Sequence, residues 1–246
     1  MKKLFIAGAA TAAVVTVIAA CGGDGGGETF EVTKGTVIQN ATVVNTRDGS
    51  LAAGMSVVID EGKIQRIMSG ASIRISGTAQ AIDASGKYLV PGYLDMHTHA
   101  MGAADLQPTY WPLLIANGIT GIREMSGSAA LIQRARKLNA DRAAGNVDAP
   151  EILMIPGDIY GGQAPTPDLA RMFVQKQKAD GADFIKIAAG TRDPVLAILD
   201  ESKKQGLTVA GHLIPAITAL ESPNAGWRAI EHLGSGWGLR LDCATD

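Results

Sequence analysis

Hydrophobic and polar positions along the chain fall into three regimes. Residues 4–20 form an almost unbroken apolar run, residues 28–90 alternate short β-branched runs with polar turns, and from Tyr93 onward strand-like apolar runs alternate with segments of helical period. In the middle regime Thr36-Val37-Ile38 and Thr42-Val43-Val44 predict two short strands split by Asn40. Ser56-Val57-Val58-Ile59 and Lys63-Ile64-Gln65-Arg66-Ile67 flank Asp60-Glu61-Gly62, a hairpin signal in which glycine supplies a positive φ. Ile82-Asp83 and Lys87-Tyr88-Leu89-Val90 add strands that lead into Pro91-Gly92. No residues of catalytic type cluster here, so the stretch reads as a small β scaffold.

The third regime is that of βα units around a parallel sheet. Residues 93–99 read as a buried strand, residues 110–117 as a helix stopped at Gly118, and residues 119–125 as the second strand. Ser128 caps a helix whose apolar positions Leu131, Ile132, Ala135 and Leu138 recur at helical spacing. Residues 151–155 are the third strand. Thr166-Pro167-Asp168 then opens a helix with a capping hydroxyl, a proline at the first helical position and an acid in the first turn. Leu169, Met172 and Phe173 are its expected buried stripe, and Gly181 ends it. Residues 183–187 form the fourth strand. Asp193-Pro194 opens the next helix by the same chemistry and Gly206 closes it. Residues 208–212 are the fifth strand, residues 216–220 a short helix and residues 228–232 the sixth strand.

Composition changes the picture mainly at the N-terminus. Lys2 and Lys3, the apolar run and Ile18-Ala19-Ala20-Cys21 resemble a bacterial lipoprotein signal, in which Cys21 is lipidated and becomes the mature N-terminus. The alternative is a retained transmembrane helix, but a run of about 17 residues is at the lower limit for spanning and no cationic stop follows it. Gly22-Gly23-Asp24-Gly25-Gly26-Gly27 reads as a flexible tether. The expected location is therefore the bacterial cell envelope, with the chain held to the membrane by N-terminal lipid and facing the periplasm. Cys243 is then without an intramolecular partner, and no disulfide framework is possible. A net charge of −2 without a basic stripe argues against a nucleic-acid partner. The boundaries read as a signal peptide over 1–20, a lipidated N-terminus and tether over 21–35, a small β domain over 36–90 and an α/β domain over 91–246.

The chain has four histidines, and all of them lie near the ends of expected strands. His97 and His99 sit two apart on one strand, so both can face the same side, and neutral imidazole is the commonest metal ligand. His212 and His232 lie one βα unit apart, at the same end of neighbouring strands. Each alone is more often a core histidine bonded to a carbonyl than a ligand. Lys186 lies between Ile185 and Ile187 in a strand expected to be buried on both faces. Burial drives a lysine toward the neutral amine, which adds carbon dioxide to give an anionic carbamate suited to divalent cations. The plain alternative is a lysine that reaches solvent at a strand end. Asp95 shares the parity of the first two histidines but lies deeper in the strand, as a supporting residue.

Pro91-Gly92-Tyr93-Leu94-Asp95-Met96-His97-Thr98-His99, after a small β region, resembles the amidohydrolase superfamily of metal-dependent hydrolases, of the binuclear, carboxylated-lysine type. The resemblance implies a (β/α)8 TIM-like barrel preceded by a small β-sandwich domain. It also implies a metal set of His97, His99, Lys186, His212 and His232: the first pair on one ion, the last pair on a second, and a carboxylated Lys186 between them. Two divalent ions are expected, with zinc the default for nitrogen-rich ligands. They would activate a hydroxide for attack on an amide-like C–N bond of a small-molecule substrate, such as a small peptide or cyclic amide. Two departures stand out. Leucine follows both His212 and His232, where the family more often has a small residue. The family's aspartate at the end of the eighth strand has no counterpart, since Asp242 and Asp246 come too soon after the sixth strand, so no catalytic acid is assigned. The third regime supplies roughly 150 residues where such barrels usually take about 250, so the barrel is expected to be incomplete, with about six units and a C-terminal truncation. A complete open sheet of six strands is the structural alternative. The functional alternatives are a non-catalytic metal-binding lipoprotein remnant and a mononuclear deaminase, which would not need the lysine bridge. Oligomeric state is not encoded in these patterns.

Overall fold

The computed structural model describes residues 29–69, 73–102 and 107–232. The chain divides into two compact units, Met1–Val90 and Pro91–Asp246. The signal-like run, Cys21 and Cys243 lie outside the described residues. Among the described residues no helix is long and apolar enough to cross a membrane.

In the first unit β1 (Phe30–Val32) pairs in parallel with β5 (Ile73–Ile75). The strand β1 lies inside the stretch read as tether. A second sheet has the order β4-β3-β2-β6, made of β2 (Thr36–Val44), β3 (Leu51–Asp60), β4 (Lys63–Ser69) and β6 (Gln80–Asp83), with β7 (Tyr88–Leu89) also on β2. Val32, Val37 and Val58 form its buried core, with Phe30, Ile73 and Ile75 packed against them. The hairpin between β3 and β4 turns at Glu61 and Gly62, with φ of 50° and 70°, the two left-handed positions of a tight two-residue turn. The split expected at Asn40 is instead a kink within one strand. Asn40 takes a φ of 63°, where pairing with β3 slips between Ile38 and Ala41. Asparagine tolerates that conformation, and its amide is tied down by donating to Asp83 Oδ1 at 3.0 Å.

Among the described residues the second unit carries six parallel strands in chain order. β8 (Tyr93–Thr98), β9 (Ile119–Glu124) and β10 (Glu151–Met154) form one run, and β11 (Phe184–Ile187), β12 (Thr208–Gly211) and β13 (Trp227–Ile230) form another. The chain after β10 joins them, through bridges from Pro156 to Phe184 and from Tyr160 to Ile187. Helices α1 (Gln107–Ala116), α2 (Ala129–Ala143), α3 (Pro167–Ala179), α4 (Arg192–Lys204) and α5 (Glu221–Ala225) fill the connections. Strand alternation sorts the two sheet faces. Ile122 and Ile152 pack with Ile132 and Ala135 of α2, while Ile185, Ile187 and Val209 pack with Val174 of α3 and Val195 and Ile198 of α4. The opposite face gathers Phe184 and Ala210, with Met125, Met154 and Ala229 beside them.

The helix caps follow the sequence in two cases out of three. Ser128 Oγ accepts from Leu131 N–H and Thr166 Oγ1 from Leu169 N–H. At α4 the cap position is Thr191, without a side-chain hydrogen bond, and Asp193 falls in the first turn instead. The stripe expected on α3 is displaced in part, since Phe173 packs against the core. Leu169 and Met172 are exposed, and the buried positions are Ala170, Val174 and Gln177. Small side chains let the helix sit close, and the buried Gln177 carboxamide accepts Asp158 N–H through Oε1 at 2.7 Å, while its Nε2 has no partner. The short helix expected over 216–220 begins later, at Glu221, because Thr218 turns the chain and its hydroxyl accepts Glu221 N–H at 3.1 Å.

Candidate metal centre

The C-terminal ends of the parallel strands bring the singled-out residues together. His97 lies one residue before the end of β8, with its backbone N–H held by Asp95 Oδ1 at 3.0 Å. Lys186 on β11 shares the parity of Phe184, and His212, just past β12, shares that of Ala210, so both belong to the face away from the helices. His232 has the parity of Ile230, which packs on the helix side. A left-handed φ of 64° at His232 breaks that alternation. Its ring centroid lies 4.6 Å from that of His97 and 4.8 Å from that of His212. His99 lies 5.4 Å from His97 on the same measure. The first and sixth strands therefore meet at this end of the sheet.

Close backbone approach makes this possible. Gly211, at the end of β12, has a φ of 144°, and a Cβ there would fall 2.0 Å from the Ile187 carbonyl oxygen. Through this contact His212 N–H donates to Ile187 O and Glu231 N–H to Gly211 O, each at 2.8 Å. Glycine is the residue that permits it.

Around the histidines lies a polar frame. Glu231, buried at 8% exposure, reaches His97 Nδ1 with Oε2 at 2.7 Å and accepts Arg123 Nη2 with Oε1 at 2.6 Å. Arg123 Nε donates to Met96 O at 2.6 Å. His99 Nδ1 and Ser126 Oγ are 2.6 Å apart. Glu124 is fully buried and accepts Met101 N–H at 2.7 Å and Ser126 N–H at 2.8 Å. Burial raises the pKa of Glu124 in spite of those two donors. Burial also opposes ionisation of Glu231, but the His97 hydrogen bond and the Arg123 charge outweigh it and its pKa is lowered. Burial lowers the pKa of both His97 and His212, and the Lys186 charge pushes each the same way. The imidazoles are thus held toward the neutral, lone-pair form. Lys186 is 2% exposed and its Nζ has no hydrogen-bond partner. Desolvation brings its pKa down to about 8, opposed by the charge of Glu231 and aided by that of Arg123.

Among the described residues no three His, Cys, Asp or Glu side chains converge tightly enough to hold an ion as they stand. In kind, however, the donors fit a divalent metal: His97 and His212 are held toward the neutral form, and the buried Lys186 amine has no hydrogen-bond partner. Arg123, Ser126 and the role of Glu231 were not foreseen from sequence. The available signal was charge where a buried strand should be apolar, in Ile122-Arg123-Glu124-Met125 and Ile230-Glu231-His232.

No family model matches the chain. Among curated proteins it is similar to an adenine deaminase of Listeria welshimeri, 26% identical over 190 residues, which cover 72% of this chain and 31% of that enzyme. The chain thus spans about a third of the length of the curated relatives it matches. Among solved structures it resembles a prolidase complexed with N-methylphosphonate-L-proline, with a TM-score of 0.63, 23% identity, and coverage of 80% of this chain and 60% of that one. An amidohydrolase gives a TM-score of 0.61 at 21% identity, with the same coverage of 80% and 60%. The structural likenesses show the fold.

Proposed function

We propose that this chain is a metal-dependent hydrolase of amide-like C–N bonds in small molecules, anchored through lipid on Cys21 at a bacterial cell envelope and facing the periplasm. The observation that carries the hydrolase reading is Lys186: a lysine 2% exposed, with no partner for its Nζ, close enough to His97 and His212 for its charge to act on both, at the C-terminal side of a parallel α/β sheet. His97, His99, His212 and His232 would hold divalent ions, with zinc the default for such a donor set. Bound there, such ions acidify water and polarise a scissile carbonyl. Lys186 prepares its own ligand. With a pKa of about 8, roughly a tenth of it is neutral amine at pH 7. That lone pair adds to the carbon of carbon dioxide, the new N–C bond forms, and the N–H proton leaves to solvent, giving an anionic carbamate.

Asp95 and Glu124 are each engaged with backbone N–H groups, so both serve as clamps on the strand ends. The lipid anchor is supported by Lys2-Lys3, the apolar run and Ala19-Ala20-Cys21. A second reading, a deaminase, is favoured by the similarity to adenine deaminases. The two separate in an assay of the zinc-loaded full chain against dipeptides, cyclic amides and adenine, with and without a chelator. Chelator-sensitive hydrolysis of the amides is the expected result. Ammonia release from adenine alone would select the deaminase, and a metal-loaded chain inert toward all three would contradict both.

A further inference from the structure

We infer that Glu231 is a positioning residue for His97: the chain Arg123–Glu231–His97 fixes the imidazole as the Nδ1–H tautomer and presents a bare Nε2 to a divalent cation. The inference rests on the reading of His97 as a ligand.

The geometry carries it. Glu231 does not close a two-pronged fork on Arg123, as a simple ion pair would. It divides its oxygens, Oε1 to Arg123 Nη2 at 2.6 Å and Oε2 to His97 Nδ1 at 2.7 Å. A carboxylate held by a guanidinium can only accept, so the proton between Glu231 and His97 sits on Nδ1. Arg123 is itself fixed by donating from Nε to the Met96 carbonyl at 2.6 Å, one residue before the histidine it serves. The backbone of Glu231 is fixed by its N–H on Gly211 O at 2.8 Å, and that of His97 by Asp95 at 3.0 Å. The strands β8 and β9 and the residue just past β13 thus contribute one member each, and neither Glu231 oxygen is free to turn away. The same residue ties His97 to the strand end that carries His232. Outer partners of this kind typically control metal affinity by about 10- to 100-fold.

The test is run on the full chain. Long-range ¹H–¹⁵N spectra of the metal-free protein, labelled at histidine, report the His97 tautomer, and a competition titration reports zinc affinity. Wild type is expected as Nδ1–H. Glu231→Gln, whose amide can donate to Nδ1, is expected to populate the Nε2–H form and to weaken zinc by about 10- to 100-fold. Arg123→Lys leaves the carboxylate in place but loosens it, with a loss of about 3- to 10-fold. An unchanged His97 tautomer in Glu231→Gln, or an affinity within about twofold of wild type, overturns the inference. If Glu231→Gln does not fold, the zinc affinity of Arg123→Lys decides it, and a value within about twofold of wild type overturns the inference. The tautomer is read without metal, so a chain that bound no zinc would overturn the proposed function separately.

Discussion

Lys186 departs furthest from what its surroundings would choose. Every residue of β11 is buried, and the ammonium has neither solvent nor a hydrogen-bond partner to offset its desolvation. Its folded pKa of about 8 lies below the ordinary 10.5. The folded chain therefore binds fewer protons than the unfolded one between those values, and stability of the metal-free protein rises with pH across that window. Below it the cost is complete, at about 3 kcal/mol by the usual conversion. In the metal-free protein, Lys186→Met should be more stable than wild type at pH 7 by about 1–3 kcal/mol and should lose the rise from pH 8 to 10. Urea unfolding at several pH values measures both, and a wild type with flat stability over that range would contradict the argument. Residues of this kind could be picked from sequence because a lysine or histidine stands out at a strand end. Arg123 and Glu231 could not be assigned roles, since Glu231 meets Arg123 across 108 positions and His97 across 134, and no local spacing encodes such a contact.

At the scale of elements, the βα alternation reads correctly from period and caps, while faces and ends depend on packing. The stripe of α3 shows this: choosing the largest apolar residues selected Leu169 and Met172, but the sheet accepts Ala170 and Val174. Likewise, His232 reaches the histidine cluster only because the chain leaves strand geometry after β13. The tight contact of β11 with β12 is the element-level feature on which the site depends. Gly211→Ala would place a methyl 2.0 Å from the Ile187 carbonyl at a φ of 144°. The strands must part, with an expected loss of about 1–3 kcal/mol or more and a displaced His212. Thermal unfolding and zinc titration of the variant measure the two effects, and a melting temperature and zinc affinity equal to wild type would show that the strands can yield without cost.

For the whole molecule, the strand and helix order and the parallel sheet followed from pattern, and the family resemblance from one strand and four histidines. The six described strands meet at one end through His97 and His232, an arrangement no hydrophobic period contains. The proposed anchor depends on Cys21 alone, so Cys21→Ser should leave a precursor with its signal uncleaved, or release unlipidated protein. Mass spectrometry in a bacterial host checks this, and a wild-type chain with an intact, unmodified Met1 would contradict it. The central claim, that these strand ends form a metal centre, is tested most directly by metal analysis of the full chain after zinc loading in bicarbonate. Wild type should hold up to roughly two ions per chain, Lys186→Ala fewer, and the His97→Ala, His99→Ala double variant should lose most of them. Equal metal content in wild type and the double variant would contradict it.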